Sequence, residues 1–184
     1  PAFLNYGEIV ASHQAAIEFA DAYTVVPVAE KFSTVVTSAA GYPLDKTYYQ
    51  TVKGMVGPMD ILKPGGNIII ASECSEGMGS PEYVAAQRRL LALGPEGFLA
   101  AIKGQKYAEI DEWQTEMQLK PMRQGQIHLY TGGLEGDDRG LTGVEMIDSV
   151  EDAIAVSVAA SGDNRVAVMP EGPYVVPAYR PNAA

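Results

Sequence analysis

Residues 67–72 (NIIIAS) form a near-continuous apolar run between a Lys63-Pro64-Gly65-Gly66 turn and a loop rich in Gly and Ser. A strand with one wet face alternates apolar and polar side chains. A run without that alternation is the pattern of a strand covered on both faces. Such a strand needs helices above and below its sheet, and the rest of the chain can supply them. Residues 32–39 (FSTVVTSA) are β-branched and end at Gly41-Tyr42-Pro43, which reads as a strand entering a turn. Residues 126–130 (QIHLY) and 165–169 read as further strands. Helices are predicted over 8–22, over 45–62 with an interruption at Gly54, Gly57 and Pro58, over 81–93 and 95–103 opened by Pro81 and Pro95, over 110–122, and over 149–161 capped by Ser149. Beyond Pro170 the Pro-rich chain reads as irregular. Strands alternating with helices predict a single α/β domain over residues 1–184. Its sheet is expected to be mostly parallel, with helices on both faces, in a Rossmann-like three-layer arrangement.

Such a fold gathers ligands at loops leaving the carboxyl ends of its strands. The loop after Ala39 and the loop after Ser72 are the two that stand out. Charge narrows what could bind there. The net charge of −10 disfavours nucleic acid and acidic membranes, so a local cation is informative. No apolar run approaches the ~18 residues of a membrane span. The single cysteine, Cys74, excludes an internal disulfide and suits a reducing compartment; the expected location is cytoplasmic.

One helix face combines the residue types that hold a small anion. In DKTYYQTVKGM (45–55), Tyr48, Val52, Met55, Val56 and Met59 fall on one stripe at ~100° per residue and read as core. Tyr49, Gln50 and Lys53 fall together beside it, at i,i+3 and i,i+4 spacing. A phenol, an amide and an ammonium supply hydrogen-bond donors and one positive charge, the complement of a carboxylate or phosphate. The first turn of this helix also offers backbone N–H groups that favour an anion. The same residues would equally make an ordinary solvated face; the Gly41-Tyr42-Pro43 turn, which delivers the helix start to the ligand edge, favours the functional reading.

Other features carry less chemistry. The loop SECSEGMGS (72–80) is neither G-x-G-x-x-G nor a P-loop, and Glu73 and Glu76 oppose phosphate. Cys74, with no neighbouring His, reads as a buried inert thiol. Trp113, the only tryptophan, sits among carboxylates in EIDEWQTEMQ and fits either an anchor or a ligand wall. His13 and His128 are isolated, with no metal-ligand spacing, and no G-x-S-x-G elbow is present.

The run AAGYPLDKTYYQTVKGM followed by LKPGGNIIIASECSEGMGS resembles the carboxy-terminal domain of the nickel-dependent lactate racemase family. The likeness extends from the first helix to the last strand. It implies the substrate-cleft domain of a 2-hydroxy acid racemase or epimerase. Chemistry in that family is by hydride transfer to a nickel-pincer nucleotide, a pyridinium bisthiocarboxylate mononucleotide, with two histidines as acid and base. The resemblance places those histidines, the cofactor lysine and the metal in an amino-terminal domain. No H-H-x₃-K-like stretch occurs here, so that partner domain is expected to be absent from this chain, Pro1 to open the second domain, and the chain alone to be inactive with no cofactor bound. The resemblance assigns Lys53, Gln50 and Tyr49 to the substrate carboxylate and Trp113 to the cleft wall; it assigns no catalytic acid or base and no metal ligand to this chain. The alternative is a stand-alone module for a small carboxylate or nucleotide.

Overall fold

The computed structural model describes residues 1–182. Its centre is a five-stranded sheet, all parallel, in the order β5-β4-β3-β2-β6. The strands are β2 (Phe32–Ser38), β3 (Leu62–Ala71), β4 (Gln126–Tyr130), β5 (Glu145–Ile147) and β6 (Val166–Met169). Ile68, Ile69 and Ile70 are all fully buried, as a strand covered on both faces requires. On one face lie α2 (Tyr48–Val56) and α4 (Glu112–Gln124), with α3 (Pro81–Lys103) packed outside α4. On the other lies α6 (Val150–Ser161), whose Ser157 meets Thr34 at 2.6 Å and Asn67 at 2.9 Å. The α/β architecture with helices on both faces is as the sequence predicted.

The main core fills the face under α2. Val35, Ile68, Ile70, Ile127 and Leu129 from the strands meet Tyr48, Val52 and Met55 from the helix. These three are the fully buried part of the predicted stripe; Val56 and Met59 are only half-buried. Gly54 does not interrupt α2. It lets the helix sit against the sheet: a Cβ there would lie 2.5 Å from the Ser38 carbonyl oxygen and 2.9 Å from Ile70. The predicted break falls later, where Gly57–Ile61 forms a 3-10 turn with Pro58 near its start. The helix also begins at Tyr48 rather than Asp45, because Thr47 caps it.

Several elements differ from the sequence reading for identifiable reasons. The Lys63–Gly66 turn lies inside β3 as a bulge: pairing passes from Phe32–Leu62 to Thr34–Asn67, so Ser33 alone faces four residues. The two helices expected on either side of Gly94 are present, joined at a kink where Gly94 takes φ 70°. Strands β1 (Val25–Val28) and β7 (Val176–Tyr179) pair in parallel with each other alone. Each contains a proline, which argues against a strand when read locally. The short α5 (Asp137–Leu141) and three-residue β5 carry too few residues for a period to show. Helix α1 (Ile9–Thr24) forms near its expected bounds but has no buried residue, and its stripe residue Ile9 is 82% exposed.

The strand order reverses between β2 and β6, the place where such sheets usually open a ligand crevice. Here that crevice is filled. Ser38 Oγ donates to the Pro170 carbonyl, and Gly172 packs on Thr37 and Ser38. The open edge lies one strand over, above the carboxyl ends of β2 and β3.

Two outcomes are expected. Gly54→Ala should lower stability by about 1–2 kcal/mol, since overpacking against a fixed carbonyl exceeds the gain in helix propensity; a denaturant titration reads it. Burial holds the Tyr48 and Tyr83 phenols protonated well above the usual tyrosine range. The unfolded chain releases those protons above about pH 10 while the folded chain keeps them. Their contribution is therefore complete below that pH and lost as pH rises beyond it. Tyr48→Phe and Tyr83→Phe should flatten that alkaline fall in the urea midpoint.

Candidate functional site

The site is built where the loop after β3 folds over the start of α2. Cys74 N–H donates to the Asp45 carbonyl at 2.7 Å, and Glu76 N–H to that of Lys46 at 2.7 Å. In return Tyr48 N–H donates to Gly77 and Tyr49 N–H to Met78, both at 3.0 Å. Gln50 N–H is held by Thr47. This corrects one expectation: the first-turn N–H groups of α2 are occupied by protein, so they do not form an anion cradle. The Gly- and Ser-rich loop is accordingly a clamp on the helix rather than a phosphate wrap. Gly77 and Gly79 serve it by taking φ 73° and 123°. Cys74 is buried within it, Sγ 3.3 Å from Thr51 Oγ1 and 3.4 Å from Ser72 Oγ, as the sequence implied for an inert thiol.

Any anion held here is therefore held by side chains. Lys53 is exposed, makes no ion pair with a described residue, and places its ammonium 6.0 Å from the centre of the Tyr49 ring. Gln50 is half-buried, and its amide is not engaged by any described residue. Trp113, half-exposed at the start of α4, stands edge-on to Tyr49 with ring centres 6.0 Å apart. The structure thus brings Tyr49 next to both Lys53 and Trp113, which lie on different helices. Tyr83 also packs on the Tyr49 ring, nearly perpendicular to it with ring centres 5.2 Å apart. Two aromatic neighbours leave the phenol few orientations, which is how a binding wall is preorganised.

Two residues escaped the sequence reading. Gln114 Nε2 donates to the Tyr49 carbonyl at 2.6 Å and ties α4 to α2; it is almost fully buried. Asp111 precedes α4 with φ 61°, the left-handed region, and its carboxylate accepts from Ser80 Oγ at 2.6 Å. Burial first, and then the nearby Asp111 charge, raise the Tyr49 phenol above its ordinary value. The acidic EIDEW run was the available signal, yet nothing local marks Asp111 apart from Glu109 and Glu112, both of which Arg89 holds.

The two histidines stand apart from this face. His13 is exposed on α1, and His128 lies between Asn67 (2.9 Å) and Glu145 (3.1 Å) on the α6 side of the sheet. Among the described residues no three His, Cys, Asp or Glu side chains are grouped to hold a metal ion. No described helix is long and apolar enough to cross a membrane.

An α/β domain with a cationic and aromatic wall at the carboxyl edge of its sheet is the class defined so far. The lactate racemase C-terminal domain model matches residues 28–176, and the chain belongs to that family. It is 27% identical over 183 residues to the lactate racemase of Thermoanaerobacterium thermosaccharolyticum, across 95% of this chain and 41% of that protein. With the lactate racemase of Lactiplantibacillus plantarum it shares 25% over 170 residues, across 90% and 39%. The lactate racemase apoprotein structure from T. thermosaccharolyticum superposes with a TM-score of 0.78 at 25% identity, over 90% of this chain and 40% of that one. A Thermotoga maritima protein, at 10% identity and a TM-score of 0.62, shares the fold alone. The chain spans about two fifths of the length of the curated relatives it matches.

Asp111→Asn should lower the Tyr49 pKa toward the ordinary tyrosine value. A near-ultraviolet phenol titration, differenced against Tyr49→Phe, measures it; an unchanged Tyr49 would contradict the proximity described above.

Proposed function

We propose that this chain is the substrate-cleft domain of a 2-hydroxy acid racemase or epimerase, and that Lys53, Gln50 and Tyr49 bind the substrate carboxylate. The observation that carries the reading is the Lys53 ammonium, which pairs with no carboxylate among the described residues of an acidic chain, beside an amide that no described residue engages and a fixed phenol on one helix face. An unpaired cation among oriented donors is complementary to a small carboxylate. Family membership and the lactate racemase relatives support the substrate class.

In this reading each residue has a physical task. Lys53 neutralises the carboxylate, Gln50 fixes its plane, and Tyr49 and Trp113 exclude water from the reacting carbon. A dry wall strengthens the fixed charges and limits side reactions during hydride transfer. Among the described residues no group of three potential ligands is assembled, so they do not fit a nickel centre. The resemblance to the lactate racemase family is what assigns the nickel-pincer nucleotide, which would supply the hydride acceptor, and the acid/base histidines to another domain of such a protein. The isolated chain is expected to be inactive.

The test has two arms. With lactate titrated into the isolated chain, NMR shifts should map to the start of α2, and Lys53→Ala should weaken binding by roughly tenfold or more, the loss expected for one charge-assisted contact. In a protein joining this domain to its cofactor domain, Lys53→Ala should remove most racemisation while the cofactor stays bound. Wild-type turnover in that variant would end the assignment. Tight binding of lactate or a mononucleotide by the isolated chain would favour the stand-alone module instead.

A further inference from the structure

A cavity of about 330 Å³ adjoins the carboxylate-binding face, lined by Thr47, Tyr49, Glu76, Gly79, Ser80 and Asp111. Lys53 and Gln50 do not line it; Tyr49 is the residue the two regions share. A ligand whose carboxylate meets Lys53 and Gln50 and whose other end runs past Tyr49 would meet this cavity. What the cavity accepts is then a question of charge.

Two carboxylates face it, and they are not equivalent. Glu76 forms an ion pair with Lys46 and is locally neutralised. Asp111 has no ion pair with any described residue. Arg89 on α3 is spent on Glu109 at 2.8 Å and Glu112 at 2.7 Å. Asp111 also does not cap its own helix, although it occupies the capping position. Its backbone sits instead in the left-handed region, which is costly for a residue other than glycine, and its side chain is turned to Ser80. The carboxylate is thus held in place by hydrogen bonding and a strained backbone, with no described cation paired to it.

We propose that Asp111 is a specificity-determining residue, which closes the cavity to a second carboxylate and so selects 2-hydroxy monocarboxylates with an uncharged far end. The inference rests on the carboxylate-binding role of the Lys53 face. A dicarboxylate bound to that face would bring like charges together at an open, half-exposed site, where the repulsion is modest and is screened by salt. The raised pKa of Tyr49 is in keeping with a fixed negative charge on that side.

The experiment compares lactate and malate as probes, by NMR titration of this chain. Wild type should prefer lactate by on the order of tenfold. Asp111→Asn keeps a side chain that tolerates the left-handed backbone and removes only the charge; it should narrow the lactate-to-malate ratio by most of that factor. Raising the salt concentration on the unmutated chain should narrow the same ratio, which guards against a variant that folds poorly. Glu76→Gln should move the ratio less, because Lys46 already offsets that charge. Lys53-dependent lactate binding with a ratio unmoved by Asp111→Asn and by salt would overturn this inference alone. Absence of Lys53-dependent binding of either acid would overturn the underlying reading, and the inference with it.

Discussion

Four backbone hydrogen bonds between the loop after β3 and the residues around the start of α2 hold the site together. They run in both directions: Cys74 and Glu76 donate to Asp45 and Lys46, and Tyr48 and Tyr49 donate to Gly77 and Met78. A helix start leaves orphan N–H groups that water, side chains or a ligand must satisfy. Here the chain itself satisfies them. The consequence reaches the chemistry, because a backbone cradle is no longer available and recognition passes to side chains on the neighbouring face. The clamp also fixes the register of α2, so that Tyr48 enters the core while Tyr49 emerges at the edge of the sheet.

Everything around Tyr49 depends on that placement. Its carbonyl is held by Gln114 and its ring by Tyr83 and Trp113. These contacts come from α3 and α4, of which α4 lies on the sheet beside α2 and α3 packs outside α4. The same ring divides two regions of opposite character, a cationic face at Lys53 and an acidic cavity at Asp111. A small ligand spanning both would be read at each end by charge.

Legibility followed the range of the interaction. The Tyr48, Val52 and Met55 stripe and the adjoining Tyr49, Gln50 and Lys53 face were readable because residues three and four apart on a helix must be neighbours. Gly54 was misread as an interruption. Glycine weakens a helix locally, but its cause here is the Ser38 carbonyl of β2, which no inspection of α2 alone discloses. Strands β1 and β7 were missed for a related reason. Each is short and contains proline, and each is a strand only because the other lies beside it, far along the chain.

The sequence by itself determined the doubly covered strand 67–72, the alternation that makes the sheet parallel, and the chemical makeup of the Lys53 face, since each is written in local period and residue type. Tertiary structure alone decided that the helix start is closed by the loop after β3 and that the strand-order reversal is filled by Pro170–Gly172. It alone also set Asp111 with Ser80 beside Tyr49. Those outcomes depend on which backbone groups and side chains meet across tens of residues. Such meetings leave no periodic trace in the chain.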